Sequence, residues 1–220
     1  HGKYLKDCIQ AVLSQTYGNF ELLITDDGST DQSRDIIDWF ANRDNRIKPI
    51  YFSKNSGALA AHTACFSRAK GELLYSYSAD DCITSSLFFE KAVVALAKFP
   101  QAGGVFGQAH ICRSDGDLVT GAMGHAAPGF NSPASFTSGF LGPAPYFIPG
   151  ISAIWRKECV DIVGGFRAEF GPQSDYFVNH CIAANYGVVF LNEFFAVARR
   201  PPEIFLNQGG AVPLLSAIPA

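Results

Sequence analysis

Residues 13–31 read LSQTYGNFELLITDDGSTD, and the order of features within them decides the fold. Leu5, Cys8, Ile9, Val12 and Leu13 recur at helical spacing up to this stretch. The unbroken apolar run 20–25, FELLIT, then reads as a buried strand. Asp26-Asp27 stand at its end, and Gly28 supplies tight backbone geometry. Ser29-Thr30-Asp31 offers an N-cap for a helix over 33–42, whose stripe is Ile36, Ile37 and Phe40. A second acidic pair, Asp80-Asp81, follows another apolar run, LLYSY at 73–77. Carboxylates at the carboxyl ends of parallel strands lie where open α/β sheets bind their ligands.

Outward from these two pairs the alternation continues. A strand at 47–52 leads to the turn Asn55-Ser56-Gly57 and a helix over 58–69. Thr84-Ser85-Ser86 is expected to cap a helix running to Phe99 and ended by Pro100, and 104–111 reads as another strand. Strands alternating with helices through short loops indicate a doubly wound, mostly parallel sheet flanked by helices. Periodicity lapses over 115–149, rich in Gly, Pro, Ser, Ala and Phe, which reads as a long functional loop. It returns with 151–155, a helix at 157–163, the Gly164-Gly165-Phe166 turn, a helix at 175–185 and a strand at 188–192. The expected division is a nucleotide-type half at 1–112, a half at 113–200 that completes the site, and a C-terminal extension at 201–220.

Composition excludes several classes. With 48% apolar residues, net charge −3 and no Lys/Arg run, the chain has a core but no nucleic-acid footprint. No stretch approaches the roughly 18 apolar residues of a membrane span. Six cysteines are scattered without a C-x-x-C or Cys/His ligand spacing, a pattern of buried thiols in a reducing compartment, here the cytoplasm.

Three constellations carry chemistry. The turn TDDGSTDQS at 25–33 can accept hydrogen bonds from a nucleobase and ribose, and it also reads as an ordinary acidic turn. In YSADDC at 77–82 the carboxylates suit Mg2+ or Mn2+, which take one or two carboxylates plus substrate phosphates. In GGFRAEFGPQSDYF at 164–177, Asp175 opens a helix; it suits a general base, or merely caps the helix. His62, shortly after the 55–57 turn, can face a phosphate, whereas His180 reads as packed and His110 and His125 lack metal spacing. Phe130, Phe136, Phe140, Tyr146 and Phe147 read first as core and otherwise as an apolar acceptor surface.

In this order the motifs YLKDCIQAVLSQTYGNFELLITDDGSTD (4–31), NSGALAAHTACFSRAKGELLYSYSADD (55–81) and GGF…SDY (164–176) resemble the family 2 glycosyltransferases, inverting enzymes of the GT-A fold. The resemblance spans about residues 4–192 and implies a nucleotide-diphosphate sugar donor, a UDP-sugar first among the candidates. It implies that Asp26 and Asp27 contact the nucleoside, and that Asn55, Gly57 and the helix bearing His62 lie beneath the nucleotide. Asp80 matches the last acid of the D-x-D element, hence a ligand of Mn2+ or Mg2+, and Asp175 matches the catalytic base. A glycan or lipid-linked acceptor is implied, with peripheral association at the inner face of the membrane and a role in surface polysaccharide assembly. This chain departs from the pattern at Ser78, Ser174 and His62-Thr63, and the family's opening strand has no counterpart before the first helix, so the sheet is expected to lack it. A non-catalytic member binding nucleotide sugar or glycan is the alternative. A phosphoacceptor signalling domain, which also places aspartates at strand ends, fits less well because the chain carries a long second half.

Overall fold

Apolar spacing dictates where each element buries its face, and the computed structural model describes residues 2–112, 118–120, 126–143, 147–199 and 213–219. Helix α1 (Gly2–Leu13) buries Leu5, Cys8, Ile9 and Val12, the expected stripe. Strand β1 (Glu21–Asp26), helix α2 (Ser33–Ala41), strand β2 (Ile47–Tyr51), helix α3 (Ala58–Phe66) and strand β3 (Leu73–Ser78) follow in the expected alternation. Then come the two-residue β4 (Cys82–Ile83), α4 (Phe88–Lys98), β5 (Gly104–Cys112), β6 (Leu118–Thr120) and β7 (Gly129–Asn131). Helix α5 (Pro133–Phe140), β8 (Ala153–Arg156), α6 (Lys157–Ile162), α7 (Ser174–Tyr186), β9 (Val188–Arg199) and β10 (Pro213–Ile218) complete the order, with 3-10 turns at Gly150–Ser152 and Ala168–Gln173.

The sheet runs β2-β1-β10-β3-β8-β5-β9-β4, with β6 against β5 and β7 against β9. On that path β2, β1, β3, β5 and β9 share one direction, while β10, β8 and β4 run against it. The α/β sheet flanked by helices is therefore mostly parallel in direction, as expected. Direct parallel pairing among the described strands occurs only at β1–β2 and β5–β9, because β10 and β8 interleave.

Period-two alternation splits the core in two. Leu22, Ile24, Tyr75, Leu214 and Ile218 face one side of the sheet with α1, α2 and α4. Leu23, Leu74, Leu215 and Ala217 face the other side with α3, α5, α6 and α7. Strands covered on both faces read as continuous apolar runs, which is why FELLIT and LLYSY were legible.

Several expectations are corrected. The segment taken as a C-terminal extension supplies, at residues 213–218, a central strand wedged antiparallel between β1 and β3. Gly71 makes room for it, since a Cβ there would lie 2.4 Å from the Ala217 and Ile218 backbone. The irregular stretch contains β6, β7 and α5, the last capped by Ser132, whose Oγ accepts from the Ser135 N–H (3.2 Å), with Pro133 in its first turn. The strand expected at 188–192 extends to Arg199. At the start of α4 Ser85 Oγ accepts only from the Leu87 N–H (3.4 Å), and Gln15, just after α1, accepts from the Phe89 N–H (3.0 Å) and donates to the Ser85 carbonyl (2.8 Å). Helix α2, by contrast, takes its cap from the expected cluster, Asp31 accepting from the Ser33 N–H (3.0 Å). His125, Tyr146 and residues 200–212 lie outside the described residues. No helix among the described residues is long and apolar enough to cross a membrane.

If β10 is part of the core, Leu215→Ala, at a fully buried position, should cost about 2–5 kcal/mol in urea unfolding. A change below about 0.5 kcal/mol, the size of a surface substitution, would show that the strand does not hold the sheet.

Candidate functional site

The acidic pair after β1 is buried and already bonded. Asp26 accepts at Oδ2 from Arg34 Nε (3.3 Å) and Nη2 (3.0 Å), and at Oδ1 from the Ser29 N–H (3.3 Å). Asp27 accepts at Oδ1 from the Ser56 N–H (2.7 Å) and at Oδ2 from the Gly57 N–H (2.8 Å). Asn55 Oδ1 also accepts from the Gly57 N–H (3.0 Å). Gly28, at φ +68°, lets the two turns touch: a Cβ there would sit 2.7 Å from the Asn55 nitrogen. These bonds fix the entry to α3, whose N-cap Gly57 has φ +91°.

Helix α3 delivers His62 into a cleft of about 310 Å3. Its Nδ1 pairs with Ser76 Oγ on β3 at 3.0 Å, and its ring stacks on Phe166 from the Gly-Gly turn, 5.5 Å between centroids. Burial pushes the imidazole pKa down to about 4, so the ring is neutral at physiological pH and brings no cation to the cleft. The other walls include Ser76 and Ser78 of β3, then Asp81, Asp175 and Asn179. Ser78 stands at the strand end, where its carbonyl accepts from the Asp81 N–H (3.0 Å) and turns the chain.

Asp175 is the second residue of α7. Its Oδ1 accepts from the Tyr176 N–H (2.7 Å), and Oδ2 points toward the space beside Gly150, where a Cβ would be 3.0 Å away. The side chain keeps an exposed edge on the open cleft. Protein crowds its other side, and that desolvation raises its pKa above the ordinary carboxylate value. Ser174 is buried, and its Oγ accepts from the Arg167 N–H (2.6 Å), so this departure from the family pattern ties the preceding loop to α7.

Of the residues read from sequence, His62 and Asp175 meet in the cleft. Asp26, Asp27, Asn55 and Gly57 do not line it; its α3 wall begins at Ala58. Asp80 is 9% exposed and does not line the cleft, whereas Asp81 does; Arg199 Nη1 donates to the Asp80 carbonyl (3.2 Å). Asn179 was missed, although its i+4 spacing from Asp175 puts both on one helix face. The aromatic cluster divides: Phe130 stacks on Phe99 (5.8 Å), while Phe140 and Phe147 pack around His180 and Tyr176. Among the described residues no group of three or more His, Cys, Asp or Glu could hold a metal. Two carboxylates after β3 remain a donor set that hard cations accept when phosphates complete the shell.

The family model described as glycosyl transferase family 2 matches residues 2–176. The chain belongs to glycosyl transferase family 2. It is 40% identical over 86 residues to the glycosyltransferase GlyG of Streptococcus pneumoniae, covering 39% of this chain and 29% of the relative. It is 37% identical over 78 residues to TuaG of Bacillus subtilis, a putative teichuronic acid biosynthesis glycosyltransferase, covering 36% of this chain and 31% of that one. The alignments thus span about a third of these curated relatives' length. The mannosyltransferase PcManGT from Pyrobaculum calidifontis, in complex with GDP-Man and Mn2+, superposes with a TM-score of 0.67 at 16% identity, over 93% of this chain and 55% of that one. That likeness is one of fold, and the fold is GT-A.

Two outcomes test the site's framework. Asp27→Asn replaces one of two acceptors by a donor facing an N–H, and should cost about 1–3 kcal/mol in chemical denaturation. For His62 the folded pKa lies below the unfolded value near 6.5, so the unfolded chain binds the extra proton between about pH 4 and 6.5. Stability is complete above about pH 6.5 and falls as pH drops toward about 4. His62→Gln should flatten that slope in pH-dependent melts, and an unchanged slope would assign it to other groups.

Proposed function

We propose that this chain carries the donor-binding and catalytic part of an inverting glycosyltransferase. It moves a sugar from a nucleotide-diphosphate sugar to an acceptor hydroxyl, in surface polysaccharide or related glycan assembly. The observation that carries this reading is Asp175: a carboxylate of raised pKa on the wall of the cleft shared with His62 and Asp81. A general base works best with its pKa closer to the working pH than a free carboxylate's. Asp175 takes the proton from the acceptor hydroxyl, and the freed oxygen attacks the anomeric carbon. The nucleotide diphosphate leaves from the opposite face, so the configuration inverts. Asp26 and Asp27, with lone pairs beyond those their present bonds occupy, accept from the nucleoside, and Asn55, Gly57 and the neutral His62 support the donor from the α3 side.

Mn2+ or Mg2+ would be held by Asp80, with Asp81 beside it on the cleft wall, and supplies charge neutralisation for the departing diphosphate. The Mn2+ and GDP-Man bound by PcManGT support a divalent cation and a nucleotide-sugar donor. A UDP-sugar remains the first donor to try, and the acceptor is a glycan or lipid-linked glycan met at the inner face of the membrane. The alternative, a non-catalytic member that binds nucleotide sugar or glycan, draws on Ser174, whose hydroxyl is spent on the loop rather than on substrate.

Transfer and donor hydrolysis by full-length protein, with Mn2+ and a panel of UDP-, GDP-, dTDP- and CMP-sugars, separate the two. Asp175→Asn should lower turnover by about 10²–10⁴-fold. A protein that is stabilised by a donor yet turns over none is the binding member. The base acts only when ionised, so kcat/KM should fall as pH drops through the raised pKa, with its acid limb above the ordinary carboxylate range. An acid limb at the position of a free carboxylate would remove Asp175 as the base.

A further inference from the structure

Asn179 is 4% exposed, and its Nδ2 is fully buried without a hydrogen-bond partner among the described residues. Leaving a buried amide donor unused costs about 1–3 kcal/mol, so native folds keep few of them and each calls for a reason. Asn179 lies one turn beyond Asp175 on α7, and helical side chains lean toward the preceding turn, here toward Asp175. Both residues line the cleft. Both also border one small space: a Cβ added to Gly150 would be 3.0 Å from Asp175 Oδ2 and 3.6 Å from Asn179 Nδ2. Gly150, having no Cβ, leaves that space open between the donor and the carboxylate.

We infer that Asn179 is the positioning residue for Asp175: its amide turns about χ2 to donate to Oδ2 when substrate fills the cleft. The inference rests on the assignment of Asp175 as base. Rotation about χ2 of Asn is soft, and catalytic hydrogen bonds that are open in the unliganded state commonly tighten once substrate is bound. The bond fixes the direction of the carboxylate lone pair that receives the acceptor's proton. It also favours the ionised form, countering the desolvation that raises the pKa. The titratable groups that share the cleft walls are His62 on α3, Tyr77 on β3 and Asp81 after β3. On α7 itself are Tyr176 and His180, and in the loop before it the Arg167–Glu169 pair (3.8 Å). None of their side chains is among the causes that set the Asp175 pKa; Tyr176 acts on it only through its backbone N–H, which lowers it.

The test compares wild type, Asn179→Leu and Asn179→Asp by the pH profile of kcat, which reports the substrate-bound enzyme, and by melting temperature without ligand. Losing a hydrogen bond to a charged group should move the acid limb of kcat in Asn179→Leu up by about one pH unit and leave that of kcat/KM in place. Asn179→Asp, which brings a like charge, should move the limb at least as far. Melting of Asn179→Leu should be unchanged or higher, because no partner is orphaned when an unpaired donor is removed. An unmoved acid limb of kcat, or a lowered melting temperature with uniform loss of activity, overturns the inference and leaves Asp175 as base. If Asp175→Asn retains full activity, the base assignment fails and the role of Asn179 fails with it.

Discussion

The cleft depends on one buried carboxylate, Asp27, gripping two backbone N–H groups at the start of α3. A buried charge is costly unless hydrogen bonds replace its water, and here both oxygens are met at 2.7 and 2.8 Å. Strand β1 is thereby joined to the turn that launches α3, and α3 carries His62 to the cleft. Its neighbour Asp26 does the corresponding work toward α2, through Arg34 and the Ser29 N–H. The acidic pair is thus a bracket between two helices. Nucleoside recognition, on the reading proposed above, uses capacity left over from that structural task.

The opposite end of the cleft is built under a different rule. Asp175 keeps an exposed edge and Asn179 a buried amide donor without a partner, and a donor left unpaired lowers stability while it keeps hydrogen-bonding capacity. The neutral ring of His62 belongs to the same economy of charge. On the reading proposed above, α3 then brings no cation to a diphosphate, and its charge is left to a metal ion.

Much of this was legible in the residues. Strands β1 and β3 announced themselves as unbroken apolar runs because both their faces are covered, and α1 and α2 by a narrow stripe. The place of Asp175 at a helix start was legible too, whereas its reading as a base rather than a cap came from the resemblance alone. Other features were hidden by their nature. The run PLLSAI at 213–218 is apolar enough for a strand, but nothing local says which strands it will part. Pairing is a tertiary choice. The exchange of Asp80 for Asp81 at the cleft wall is a matter of which way one turn points, set by the Asp81 N–H bonding back to Ser78. Local Ser and Thr suggested caps that Gln15, far away in sequence, supplies for α4. Helix α5 escaped notice because its Ser, Gly and Phe residues show no clear stripe.

The wedged position of β10 also sets a timetable. Glu21 pairs with Ala217, a separation of 196 residues (217 − 21). Ribosomes add roughly 5–20 residues per second, so β1 waits on the order of ten to forty seconds for its neighbour to be made. During that interval β1 and β3 face each other across an empty slot, each with a row of unmet N–H and C=O groups. Such edges invite pairing with the wrong strand, and closure over so long a loop is slow. Folding of the first half of the chain therefore cannot finish ahead of the later half that supplies β10. The two mature together, and the nascent chain is exposed to misassembly until the last central strand arrives.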